Sequence, residues 1–399
     1  MSENHAFSSR NEGRLSDLVE LVRDKYTPTV GDVDVRCVNL EDIPEGAGRA
    51  VSWSKASENL SIKTKFEAGD ILFGKLRPYL RKYAQPSFAG LCTSELLAFR
   101  AKPGVDRRYA YQVVASQEFI DHCVAASFGT KMPRTDWRTA SAFSIRIPGE
   151  TEQRRIADLL SAVDEQIRLL EAEAAKESVR AQGLLQALLP NGFSVENPPK
   201  RYLAEALLGI EAGKSFMCSD TPAPEGAWGV LKVSAVRPEG FVSSENKQVE
   251  NLALVNPRYE VAEGDLLMTR ANTPELVGAA SYVMAPQRRL LLCDKTLRLR
   301  PKPQALPQYL WLWLQTPVAR RHVEAHATGT SAGMKNISQA AIRSLPLAIP
   351  SPEEQAKLVR PIVALYEHVA NLRTASEKLR KLKTGLAAKL LSSHGGARQ

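Results

Sequence analysis

The sequence reads as α+β: two similar globular units of mixed strands and helices, separated by two long helices that pair as an antiparallel coiled coil. Three observations lead there. The chain repeats itself at an offset of about 200 residues, a heptad seam closes each repeat, and short apolar runs bounded by Gly, Asp and Pro precede each seam.

The repeat is visible by inspection. EAGDILFGK (67–75) matches AEGDLLMTR (262–270), and LCTSELLAFRAKP (91–103) matches LCDKTLRLRPKP (292–303). FGTKM (128–132) parallels TGTSAGM (328–334). Both copies then close with Ile-Pro, at Ile147-Pro148 and Ile349-Pro350, followed by Glu152-Gln153 and Glu354-Gln355, 202 residues apart. Two units of this size are a duplicated domain, not a solenoid.

The elements follow in chain order. Residues 1–150 form the first unit, with strands expected at Val35 to Leu40, Asp70 to Phe73 and Ser94 to Arg100 and a helix at Arg108 to Phe119. Residues 151–190 form the first long helix, with apolar residues at alternating spacings of four and three: Ile156, Leu160, Val163, Ile167, Leu170, Ala174, Ala181, Leu184 and Leu188. Residues 191–350 hold a linker, LLPNGFSVENPPKRY (188–202), and the second unit. Its strands are expected at Val230 to Ser234, Asp265 to Met268 and Thr296 to Arg300, and its helix at Pro307 to Glu324. Residues 351–393 form the second long helix, with Leu358, Ile362, Leu365, Val369, Leu372, Leu379, Leu386 and Leu390. The first five of these are the earlier set moved by 202. Residues 394–399 are expected to be a disordered tail.

The two seams most simply pair with each other; the alternative is that each packs on its own unit. An antiparallel pair of helices of roughly 34 residues would separate the units by about 50 Å. Pro361 should kink or restart the second helix, and Gly183 and Gly385 should weaken both at equivalent places.

With 399 residues the chain has room for two or three cores, and its net charge of +9 favours a polyanionic partner, nucleic acid first. The polar start MSENHAFSSR and the lack of any apolar run of about eighteen residues point to a cytoplasmic protein without a membrane span. Cys37, Cys92, Cys123, Cys218 and Cys293 are scattered and support neither a zinc site nor a disulfide framework.

Catalytic chemistry is missing at each place that hints at it. GDILFGKLRP (69–78) falls short of a phosphate-binding loop, because Leu76 stands where Ser or Thr must hold magnesium and Pro78 where the helix should propagate. It reads instead as a strand, Ile71-Leu72-Phe73, followed by a basic segment. ENPPK (196–200) lacks the aromatic that adenine methyltransferases need after Asn-Pro-Pro, Lys200 standing there instead. His322 and His326, four apart on a helix, have no third ligand and read as solvated. The chain does not read as an enzyme, and no metal site is expected.

Basic and amide residues, by contrast, recur beside turn residues in both copies. The first has Lys75, Arg77, Arg81 and Lys82, then Gly129, Thr130, Lys131, Arg134 and Arg138. The second has Arg270 and Asn272, then Gly329, Thr330, Ser331, Lys335 and Asn336. Such side chains on loops suit both phosphate oxygens and base edges.

With these features in order and in duplicate, the chain resembles the specificity subunits of type I restriction-modification enzymes. The residues that carry the resemblance are the GDILFGKLRP and GDLLMTR strands, the Gly-Thr loops, and the segments IPGETEQRRIADLLSAVDEQI and IPSPEEQAKLVRPIVALYEHV. It implies two target recognition domains, each reading half of a split double-stranded DNA site, and a helical spacer that sets the gap and docks two modification subunits. It also implies that S-adenosylmethionine, and ATP with magnesium, are held by the modification and the restriction/translocase subunits and not by this chain. A bivalent adaptor joining two protein partners is the alternative, which weak salt dependence of DNA binding would favour.

Overall fold

A computed structural model describes residues 12–129, 131–189, 201–219, 221–287, 289–329 and 333–391. These fall into two compact units. One comprises the described residues up to Leu169 together with those from Ser376, and the other runs from Leu170 to Ala375. The division lies inside the two long helices, so each unit holds one globular domain and a stretch of both helices. The linker residues 190–200 and the tail 394–399 lie outside the described residues.

In the first unit a four-stranded antiparallel sheet runs in the order Val19–Leu21, Leu96–Ala101, Ile71–Gly74, Tyr83–Ala84. The strand from the GDILFG segment is buried throughout, because both faces of its sheet are covered. Ile71 and Phe73 join a core with Phe99, Tyr109 and Phe119, while Leu72 points the other way, to Val38, Phe66 and Cys92. Those last three belong to a five-stranded sheet in the order Lys25–Tyr26, Lys63–Phe66, Gly90–Cys92, Arg36–Val38, Ser54–Lys55. The second unit repeats the four-stranded sheet as Leu207–Ala212, Thr296–Pro301, Leu266–Thr269, Ala280–Tyr282, with Leu266 and Met268 on one face and Leu267 on the other.

The shared Gly-Asp has a structural reason. Gly69 (φ 89°) and Gly264 (φ 88°) take the left-handed turn that glycine favours. The carboxylate of Asp70 then accepts from the Glu67 N–H at 2.8 Å, and that of Asp265 from the Ala262 N–H at 2.9 Å. An arginine covers each: Arg100 lies 2.8 Å from Asp70, and Arg298 2.9 Å from Asp265.

Each expected single helix is two. Arg107–Ala115 and Gln117–Ala125 break at Ser116, and Pro307–Trp313 and Pro317–His326 break just before Thr316. The cause is capping. Ser116 and Thr316 are extended, their side chains accept from the Phe119 and Ala319 N–H groups, and Pro317 occupies the first turn.

The long helices are Glu150–Leu188, of 39 residues, and Pro352–Leu391, of 40 residues. The helix is continuous through Pro361, so the expected restart does not occur. Pro361 and Lys357 are exposed, so the turn that loses its hydrogen bond lies on the exposed face, while Val359 and Ile362 on either side are buried. Within each unit the two helices pack antiparallel. In the first, Ile156, Ala157 and Leu160 share a core with Ala387, Leu391 and the globular domain. In the second, Ala181, Leu185 and Leu189 share one with Val359, Ile362 and Tyr366. In the same unit Leu170, Ala174, Val369 and Leu372 form a cluster made of helix residues alone.

Both readings of the seam are therefore realised, pairing and packing on the globular domain. That is why the buried stripe widens near the domains to include Ala157, Leu185, Val359, Tyr366 and Ala387, which the heptads miss. Of the seam residues, Ile156, Leu160, Ile167, Ile362, Val369 and Leu372 are buried, and Val163, Leu170, Leu358 and Leu365 are half-buried.

Gln153 and Gln355, almost fully buried, pin each long helix to its domain. Gln153 accepts from the Asp106 N–H at 3.0 Å and donates to the Pro148 carbonyl at 2.8 Å. Gln355 accepts from the Leu306 N–H at 2.8 Å and donates to the carbonyls of Gln304 and Pro350. Gln153→Ala should orphan a buried donor and a buried acceptor and cost about 2–3 kcal/mol in denaturant unfolding. A loss below about 0.5 kcal/mol would mean that water replaces the amide.

Candidate nucleic-acid interface

In each unit one polypeptide geometry brings two loops together. After the strand Ile71–Gly74, the Lys75 N–H donates to the Glu95 carbonyl at 2.8 Å, and the Lys75 carbonyl accepts from the Thr135 N–H at 3.0 Å. Leu76 pairs with Arg134, and Phe128 pairs with Arg134 from the other side. In the second unit the Arg270 N–H donates to Lys295 at 2.8 Å and its carbonyl accepts from Ile337 at 2.9 Å. There Ala271 pairs with Asn336, Asn272 with Lys335, and Thr328 with Asn336. Segments about sixty residues apart in the chain thus form one surface in both copies, and the same hydrogen bonds build it.

The first unit's loop is wound tightly. Arg77 (φ 51°) and Arg81 (φ 52°) are both left-handed without being glycine, flanking the turn Pro78–Leu80. Such conformations are costly and persist where the surroundings impose them. Here the Arg77 N–H donates to Pro133 at 2.7 Å and the Arg81 carbonyl accepts from Gly46.

The candidate side chains divide by what they already touch. Arg81 donates to Gln117 at 2.8 Å, Lys82 to the Leu40 carbonyl at 2.9 Å, and Arg134 lies 3.5 Å from Glu95. Lys75, Arg77, Lys131 and Arg138 have no carboxylate partner among the described residues, Lys131 and Arg138 being exposed and Arg77 carrying a buried Nε with no acceptor. In the second unit Arg270 and Asn336 are exposed, the Asn272 side chain accepts from the Thr273 N–H, and Lys335 donates to the Gly329 carbonyl at 3.1 Å. Gly129 and Gly329 both have positive φ, 93° and 154°. Thr130, Thr330 and Ser331 lie outside the described residues.

The reading of His322 as solvated is corrected. Its ring lies 2.8 Å from the Ala341 carbonyl, as His122 lies 2.9 Å from that of Thr139, and burial lowers its pKa below the ordinary value. Each of these histidines ties its helix to the short helix after the loop. His326 is exposed, with its ring 4.1 Å from that of His322. Among the described residues no three potential ligands gather for a metal ion, and no helix is long and apolar enough to cross a membrane. The segment 69–75 lies in and beside a strand and is followed by a single 3-10 turn, Pro78–Leu80, not by an α-helix. ENPPK lies outside the described residues.

No protein-family model matches the chain. Among curated proteins it is 32% identical over 187 residues to the type I restriction enzyme EcoEI specificity subunit of Escherichia coli, covering 46% of this chain and 32% of that protein. It is 31% identical over 141 residues to the EcoKI specificity subunit of Escherichia coli K12, covering 35% of this chain and 30% of that one. The matched stretches thus span about a third of those relatives' length. Among solved structures, the S subunit of a type I restriction-modification system from M. genitalium superposes with a TM-score of 0.56 at 14% identity, covering 98% of this chain and 99% of that one. The fold is that of this S subunit.

Proposed function

We infer that the chain is a specificity subunit of a type I restriction-modification enzyme, whose two domains each read one half of a bipartite site in double-stranded DNA. The observation that carries this reading is the loop pair built twice by the same hydrogen bonds, with Lys75, Arg77, Lys131 and Arg138 free of acids in one copy and Arg270 and Asn336 exposed in the other. Unpaired cations and amides on loops suit phosphates and base edges. Two similar domains also match two half-sites. In this reading the long helices set the unread gap and offer the docking surface for two modification subunits. Those partners hold S-adenosylmethionine, restriction/translocase subunits hold ATP and magnesium, and this chain supplies recognition without catalysis.

Binding to duplex DNA should fall steeply with salt, since each neutralised phosphate releases counterions. Lys131→Ala should weaken binding alike for every sequence and reduce the salt slope by about one. Salt-independent binding, or none in the presence of the modification subunits, would instead favour an adaptor for protein partners.

A further inference from the structure

Away from the two loops, the first unit carries an exposed arginine packed against two aromatic rings. The Arg36 guanidinium carbon lies 4.5 Å from the ring centre of Trp53 and 4.8 Å from that of Phe88. The two rings are 5.5 Å apart at their centres, and Phe88 rests in turn on the fully buried Phe66 at 6.0 Å. The clamp is thus anchored to the core. Trp53 nevertheless stays 48% exposed.

Charge points the same way. Arg36 sits directly opposite Lys55 where Arg36–Val38 pairs with the edge strand Ser54–Lys55, and both side chains are exposed. Neither has an ion pair or side-chain hydrogen bond among the described residues. Like charges facing each other across a strand pair are destabilising in the free protein, so the arrangement favours an anionic or acceptor-rich ligand. The strand runs on into Leu40, whose carbonyl holds Lys82, and the Gly46 N–H holds the Arg81 carbonyl. The clamp is therefore tied through residues 39–46 to the basic loop.

We propose that Arg36, braced against the touching rings of Trp53 and Phe88, reads a guanine in the half-site of the first domain. The inference rests on the reading above and adds a specificity-determining residue to it. All five guanidinium N–H groups lie in one plane. Contact with the aromatic pair uses none of these donors and leaves them for a pair of acceptors, which guanine presents as O6 and N7 in the major groove. Lysine cannot reproduce this, because its ammonium is a point donor with no plane to stack.

The test uses the full chain assembled with its modification subunits, and reads every methylated site in a genome. The half-site owned by the first domain is assigned by exchanging that domain for a relative's. Arg36→Ala and Arg36→Lys should both relax one G·C position of that half-site, losing about ten- to a hundredfold discrimination there, with the other half-site unchanged. Thermal unfolding of each variant, expected to match the wild type, shows that the change is not misfolding. A motif unchanged in both variants overturns the inference. So does a uniform slowing that lysine restores, which marks a phosphate contact, or a first half-site without a G·C pair. A wild-type complex that methylates no split site would overturn the proposed function itself, a result distinct from all of these.

Discussion

Lys383→Ala should destabilise the first unit by about 2–3 kcal/mol, whereas replacing Asp164 and Lys383 together by leucine should restore most of that loss. The Lys383 ammonium lies 2.7 Å from both oxygens of Asp164, and Gln112 of the globular domain donates to the same carboxylate at 2.9 Å. One carboxylate thus joins both long helices and the domain. Removing the lysine leaves that carboxylate without its counter-ion. The cost sits at the low end of what an orphaned charge produces, because the Asp164 side chain keeps 38% of its surface in water. Burial already pulls the Lys383 pKa down, with Asp164 opposing, so the pair offers little net stability over an apolar one. Its contribution is to register. A slip of one heptad would set Asp164 against Leu390 or Ser376 in place of Lys383. If the single and the double variant unfold alike, the two groups act independently and the pair holds no register.

Lengthening both helices should widen the unread gap in the DNA site. Seven residues preserve the phase of a heptad seam and add about 10 Å at roughly 1.5 Å per residue. The helices pair antiparallel in each unit, so an insertion between Ala174 and Ala181 needs a matching one between Tyr366 and Arg373 on the opposite strand of the pair. With both, each half-site should survive and the gap should grow by up to about three base pairs, at roughly 3.4 Å each. Activity should drop as well, since three pairs rotate one half-site by about a quarter to a third of a turn around the duplex. With the first insertion alone, Ala181 and Leu185 can no longer meet Tyr366 and Ile362 while Asp164 holds Lys383, so the second unit should lose stability. A fully active double-insertion complex with an unchanged gap would show that the helices do not set the spacing.

Much of this was legible in the sequence because duplication tests each feature twice. The Gly-Asp pairs announced a turn and a strand, and both turned out to be buried strands behind a left-handed glycine. Period and composition also placed the long helices, since their apolar stripes recur over many turns. What stayed hidden depends on partners distant in sequence. Gln153 and Gln355 stand in a charged helix start, and only folding brings Asp106 and Leu306 to them. Ser116 and Thr316 could have been recognised as caps, Thr316 by the following Pro317. At Pro361 a local rule predicts a restart, and an exposed position with buried neighbours on both sides keeps the helix continuous. The loops resisted most. Sequence spacing identified Lys75, Arg134, Arg270 and Asn336 as candidates but could not pair them across sixty residues, nor show that Arg81 and Lys82 donate inward. Arg36 carried no signal at all, because its clamp comes from Trp53 and Phe88, which its own strand neighbours do not foretell.

The most direct measurement is the methylated motif of cells that carry this chain with its modification subunits, before and after the first globular domain is exchanged for that of a relative. The account predicts a bipartite motif with an unread gap, in which the exchange rewrites one half and leaves the other half and the gap intact. A contiguous motif, or one whose two halves change together, would contradict it.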